Sequence, residues 1–120
     1  MDYETIMQAN LERVFGERDS ARRIEAIREL YVEDAELHEP QQSVRGHDAI
    51  SQAVTDLLAQ LPPDFTFTAI RPALALNHIA RLQWRAGPPK GPAAVTGTDV
   101  AHFERGRIRS LYVFLDQPGT

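Results

Sequence analysis

Pro62 and Pro63 divide the chain into two stretches whose apolar residues recur with different periods. Before the prolines the spacing is that of helices, and after them it is the alternation of strands. A chain that must bury both kinds of face has few options. The simplest is an α+β arrangement with a helix layer on one face of an antiparallel sheet. With 120 residues, 42% of them hydrophobic, the chain suits one compact domain over residues 1–120.

In the first stretch Ile6, Met7, Leu11, Val14 and Phe15 fall along one side of a helix that Gly16 ends. Asp19 or Ser20 caps a second helix, where Ile24, Ile27, Leu30 and Tyr31 share a face and Arg22, Arg23, Arg28 and Glu29 cover the outside. Ala35 to Glu39 is short and roughly alternating, and Pro40 prevents any helix from running through it, so this is a short strand or extended arm. Arg45 and Gly46 lead into a third helix with Ile50, Val54, Leu57, Leu58 and Leu61 on its apolar face, stopped by Pro62-Pro63.

The second stretch reads as a meander. Phe65 to Leu76 and Ile79 to Ala86 form a hairpin through Asn77-His78. A loop rich in Gly and Pro follows, then strands at Ala94 to Glu104 and Arg107 to Asp116 joined by Arg105-Gly106, with Gln117 to Thr120 a loose tail. Alternation puts Val95, Gly97, Asp99, Ala101 and Phe103 on one face, so Asp99 occupies a core-facing row. A carboxyl there needs a reason. In the last strand Leu111, Val113 and Leu115 form one row and Ser110, Tyr112 and Phe114 the other. With both faces apolar, one meets the helices and the other most simply meets a second copy of the chain, making a homodimer through the outer sheet face.

The formal net charge of -4, with scattered basic residues, argues against nucleic acid as a partner. The chain has no cysteine, which excludes disulfides and thiolate chemistry and fits the cytoplasm. No basic-then-apolar leader and no run of membrane-spanning length is present, so no membrane association is expected. His38, His47, His78 and His102 lack the spacing of a metal site.

The tracts LYVEDAELHEPQQSVRGHDAI and TGTDVAHFERGRIRSLYVFLD resemble the nuclear transport factor 2-like superfamily, in particular its SnoaL-like polyketide cyclase and ketosteroid isomerase branch. The resemblance spans nearly the whole chain and implies three N-terminal helices on a curved antiparallel sheet forming a cone. It also implies a homodimer. Carried over residue by residue, it places Glu39, before Pro40, on the general base, and Asp99 on the strand acid that stays protonated and donates to a developing enolate oxygen. Tyr31 is retained. Phe15 stands at the oxyanion-hole tyrosine, Val54 at a supporting tyrosine and Leu115 at a pocket tryptophan.

Two carboxyls facing one apolar cavity do not both ionise cheaply, so one charged and one neutral group are expected. Such a pair supports isomerisation, cyclisation or dehydration of an apolar carbonyl compound with no cofactor. The expected pocket comprises Phe15, Tyr31, Leu58, Phe65, Phe67, Leu82, Trp84, Leu111, Val113 and Leu115. Three other readings stand beside this one. Glu39 at a turn is compatible with facing solvent, Asp99 with a structural acid bonded to a neighbour, and the fold with a non-catalytic module that holds an apolar ligand or dimerises.

Overall fold

The structure is a computed structural model that describes residues 2–116; the expected tail at Gln117 to Thr120 lies outside them. Helix α1 (Tyr3–Asn10) starts at Asp2, whose carboxylate accepts the Thr5 amide, and widens into a π-helical turn over Leu11–Phe15. The widened register appears in the Gly16 amide, which donates to the Leu11 carbonyl at 2.9 Å. Helix α2 (Ser20–Leu30) is capped by Asp19, which accepts from the Ala21 and Arg22 amides. Helix α3 spans His47–Ala59.

Seven strands follow or intervene: β1 (Tyr31–His38), β2 (Ser43–Arg45), β3 (Thr66–Ala69), β4 (Leu74–Leu76), β5 (Ile79–Gly87), β6 (Val95–Glu104) and β7 (Arg107–Leu115). They form one sheet in the order β2-β1-β7-β6-β5-β3, with β4 also on β5. The α+β class and the curved sheet under three helices are as expected. The sheet is nevertheless mixed, because β1 runs parallel to β7 while every other pair is antiparallel. Local alternation carries no information about which distant strand the arm will join.

At Asn77 and Gly106 the turns fall on residue types that accept positive φ. Asn77 and Arg105 have positive φ, and Gly106 follows in the same region, as tight hairpins require. The stretch expected as one strand over Phe65 to Leu76 is split into β3 and β4, with Pro72 in the gap, where it has no amide to contribute to the ladder. Strand β2 is only three residues long, too short for alternation to reveal. It folds back on β1 through Pro40-Gln41, since Glu39 and Gln42 exchange both backbone hydrogen bonds. Pro40 suits that corner because its φ is already set and no amide is needed there.

The core lies between the helices and the concave sheet face. Ala80, Leu82, Trp84 and Ala86 of β5 and Ala101 and Phe103 of β6 are buried against Met7, Leu11, Ile27 and Ile50. Tyr3 stacks on Phe103 with ring centroids 4.0 Å apart, seating α1 on β6. His47 Nε2 donates to the Tyr31 and Val32 carbonyls at 3.2 and 2.9 Å, tying the start of α3 to β1.

Arg23, expected on the outer face of α2, is 1% exposed. Its guanidinium donates to the carbonyls of Glu17 and Ser51 at 3.0 Å each and to Thr55 Oγ1 at 2.5 Å. The side chain therefore bridges α2 and α3 with its charge spread over neutral acceptors, an arrangement that the five-donor fork of Arg permits. Arg85 donates to the Gly91 carbonyl at 2.9 Å and holds the proline-rich loop. Arg23→Ala removes the donor to the Glu17 and Ser51 carbonyls and to Thr55 Oγ1, and urea denaturation is expected to show a loss of about 3 kcal/mol. A change below about 0.5 kcal/mol would sink the bridging role.

Candidate active site

The helix layer, the β1–β2 hairpin and four strands of the sheet converge on a cavity of about 230 Å³ at the open end of the cone. The π-helical turn supplies Leu11 and Phe15, α3 supplies Leu57 with Leu61 just beyond its end, and the β1–β2 hairpin supplies Glu39 and Pro40. The sheet adds Phe67, Trp84, Val95, Asp99, Val113 and Leu115. Apart from the two carboxyl groups the lining is apolar. Phe15, Phe67 and Trp84 make a continuous aromatic wall, with successive centroids 6.4 and 5.7 Å apart.

Asp99 lies on β6 opposite Leu82 and Val113 and is 3% exposed. Its Oδ1 accepts a hydrogen bond from Trp84 Nε1 at 2.9 Å. Burial pushes its pKa up from 3.8 to about 7, against the opposing pull of the indole N–H. The indole reaches Asp99 because Trp84 pairs across the ladder with Gly97. A Cβ on Gly97 would come within 2.5 Å of Trp84 Cζ2 and of the Phe114 carbonyl oxygen. Only glycine lets the ring lie against the strand there. With Oδ1 taken by the indole, Oδ2 is the oxygen left to carry a proton toward a ligand.

Glu39 follows the last residue of β1 and is half-buried. Desolvation raises its pKa, opposed by the Gln42 side-chain amide, which donates to Oε1 at 3.3 Å. The hairpin thus turns this carboxyl into the cavity mouth, not wholly out to solvent. Tyr31 is fully buried and donates its hydroxyl to Asn10 Oδ1 at 2.5 Å. Burial, then the charge of Asp99, raises its pKa well above 10, so the phenol stays protonated.

Among the residues expected in the pocket, Phe15, Phe67, Trp84, Val113 and Leu115 line the cavity beside both carboxyls. Tyr31, Leu58, Phe65, Leu82 and Leu111 do not line it. Leu58 is one residue, and so about 100° around the helix, from Leu57, and packs into the core while Leu57 and Leu61 face the opening. Leu82 is on the strand that α1 covers, Leu111 is one step deeper along its strand than Val113, and the Tyr31 ring is drawn toward Asn10. Phe65 precedes β3 and is only half-buried outside the cavity. Sequence reasoning missed Leu11, Pro40, Leu57, Leu61 and Val95. The i,i+4 spacing of Leu57 and Leu61 was the available signal.

Because folding raises the Asp99 pKa, the folded protein binds this proton more tightly than the unfolded chain does. The group's full contribution is present below about pH 4 and is lost as pH rises through about 7. The loss is on the order of 4 kcal/mol for a shift of that size. Denaturation of the wild type and Asp99→Asn is expected to show the variant gaining in relative stability between about pH 5 and pH 8. A stability difference independent of pH would overturn the raised pKa.

The family model described as the SnoaL-like domain matches residues 11–111. A search of curated proteins finds no significant match. Among solved structures, a candidate isomerase of the SnoaL-like family from Agrobacterium tumefaciens is 25% identical, with a TM-score of 0.86 over 94% of this chain and 96% of that one. A candidate ketosteroid isomerase from Kribbella flavida is 15% identical, with a TM-score of 0.72 over 98% of this chain and 79% of that one. A candidate polyketide cyclase from Sinorhizobium meliloti is 17% identical, with a TM-score of 0.70 over 91% and 93%. Nuclear transport factor 2-like and cystatin-like folds are also among the matches. With most of its length matched by the family model and its fold shared with these proteins, the chain belongs to the SnoaL-like domain family.

Proposed function

We propose that the protein acts as a single SnoaL-like domain that performs cofactor-independent proton transfer on an apolar carbonyl compound: an isomerisation, cyclisation or dehydration. The observation that carries this reading is the sharing of one apolar cavity by Glu39 and a buried Asp99 whose pKa is raised to about 7. Glu39, the more exposed of the two, takes a proton from the carbon next to the carbonyl. Asp99, protonated at Oδ2, donates to the oxygen on which negative charge develops. Returning the proton to a different carbon gives an isomer, whereas attack by the enolate carbon on a second carbonyl gives a ring. The names of the Agrobacterium, Kribbella and Sinorhizobium proteins are consistent with chemistry of this kind.

Phe15 favours a second reading. It brings no hydroxyl to the wall where the resemblance implies an oxyanion donor, and loss of one such donor costs about a hundredfold or more in rate. In that reading the cavity holds an apolar molecule without transforming it. Deuterium exchange into a panel of apolar ketones separates the two. Glu39→Gln and Asp99→Ala are each expected to lower exchange about a hundredfold or more while the ketone still quenches Trp84. Wild-type exchange is expected to fall above about pH 7 as Asp99 loses its proton, and that fall disappears in Asp99→Asn. Exchange undiminished in Glu39→Gln rules out the base assignment, and binding without exchange in the wild type supports the non-catalytic module.

The reading includes a cytoplasmic homodimer. Its support is the exposed apolar outer sheet face, where Phe114 is 58% and Tyr112 40% exposed on β7 and Ile79, Leu74 and Leu76 are exposed across β6. No helix among the described residues is long and apolar enough to cross a membrane. Light scattering at two concentrations is expected to give a dimer mass that Phe114→Lys with Tyr112→Lys reduces to that of the monomer. A wild-type monomer at both concentrations would refute it.

A further inference from the structure

The apolar cavity does not end at Glu39. A second compartment of about 230 Å³ opens on the other side of that residue and shares Glu39, Pro40, Leu57 and Leu115 with the first. Its remaining walls differ in chemistry. The hairpin contributes the amides of Gln41 and Gln42, α3 contributes Asp56 from the face that carries Ala53 and Leu57, and Gln60 lies just past its end. No Lys or Arg is among the described residues that line it. The last turn of α3 borders it as well, and the partial negative charge at a helix C-terminus disfavours an anion.

We infer that the two compartments form one bipartite site for an amphipathic ligand, whose apolar carbonyl-bearing body occupies the inner cavity and whose uncharged hydrogen-bonding end, a hydroxyl or amide, rests among Gln41, Gln42, Asp56 and Gln60. The inference rests on the reading of the inner cavity as a ligand site. Size supports the extension: sites for drug-sized molecules span about 300–1,000 Å³, which neither compartment reaches alone. A body of one or two rings fills the inner space, and anything longer must pass Glu39 into the polar compartment. Gln42 lines that compartment and donates to Glu39 Oε1, so a ligand end that engages Gln42 also acts on the carboxyl at the junction. The negative charges of Glu39 and Asp56, without a basic residue to offset them, make a carboxylate or phosphate end unfavourable.

The test uses three tetralones that differ only in a side chain ending in propyl, hydroxyethyl or carboxymethyl. Their dissociation constants are read from quenching of Trp84, the sole tryptophan, which lines the inner cavity. The hydroxyethyl compound is expected to bind about fivefold to tenfold more tightly than the propyl compound, the gain of one or two hydrogen bonds, and the carboxymethyl compound more weakly than either. In Gln41→Leu/Gln60→Leu, two exposed positions whose change leaves the core intact, the ratio of hydroxyethyl to propyl affinity is expected to fall to about one. Propyl binding with no gain for hydroxyethyl, equal binding of the carboxymethyl compound, or a ratio that survives the double substitution would each overturn the bipartite site while leaving the inner cavity standing. If none of the three binds, the inner cavity fails as a ligand site and the inference falls with it.

Discussion

The desolvation of Asp99 is the constraint on which the remainder of the molecule turns. A carboxyl on the concave face of a sheet, 3% exposed, gives up its water and receives one hydrogen bond from an indole in return. That single donor does not compensate a full charge, so the pKa settles near 7 and the neutral form becomes available at ordinary pH. Keeping the group dry requires the whole cone: helices to roof it, an aromatic wall to exclude water, and strands on both sides. A shallower sheet would leave Asp99 an ordinary surface acid.

Its supports are correspondingly specific. Gly97 leaves the space in which the Trp84 ring lies, and Trp84 then decides which oxygen of Asp99 remains free. The helix layer is held by contacts at a distance from the cavity, Arg23 joining α2 to α3 and His47 joining α3 to β1. Through α3 those contacts fix Leu57, which faces the opening, and through the hairpin that follows β1 the chain delivers Glu39 opposite Asp99. Removing one carboxyl leaves the cavity, whereas loosening the layer would lose the geometry that brings two carboxyls to one cavity.

Shared fold and shared chemistry are separate matters here. The solved structures with this architecture carry names from candidate isomerase to candidate polyketide cyclase at identities of 15–25%. What distinguishes one reaction from another on a common scaffold is the set of side chains at the open end. In this chain those are a Trp-bonded aspartic acid, a hairpin glutamate and a phenylalanine in the aromatic wall, together with a polar compartment beyond the glutamate.

Much of this was legible in the sequence because it depends on neighbours along the chain. Helical spacing located α1, α2 and α3, Asn77 and Gly106 marked the turns as residue types that accept positive φ, and alternation put Asp99 on the core-facing row. Pro40 likewise announced that Glu39 sits at a corner. What depended on distant partners was decided only by the tertiary structure. The parallel pairing of β1 with β7, the burial of Arg23, the choice of Leu57 and Leu61 over Leu58 at the opening, and the space over Gly97 that Trp84 fills all require knowing which surface faces which. Periodicity records that a side chain points inward; only packing determines whether it meets another side chain or the edge of a cavity.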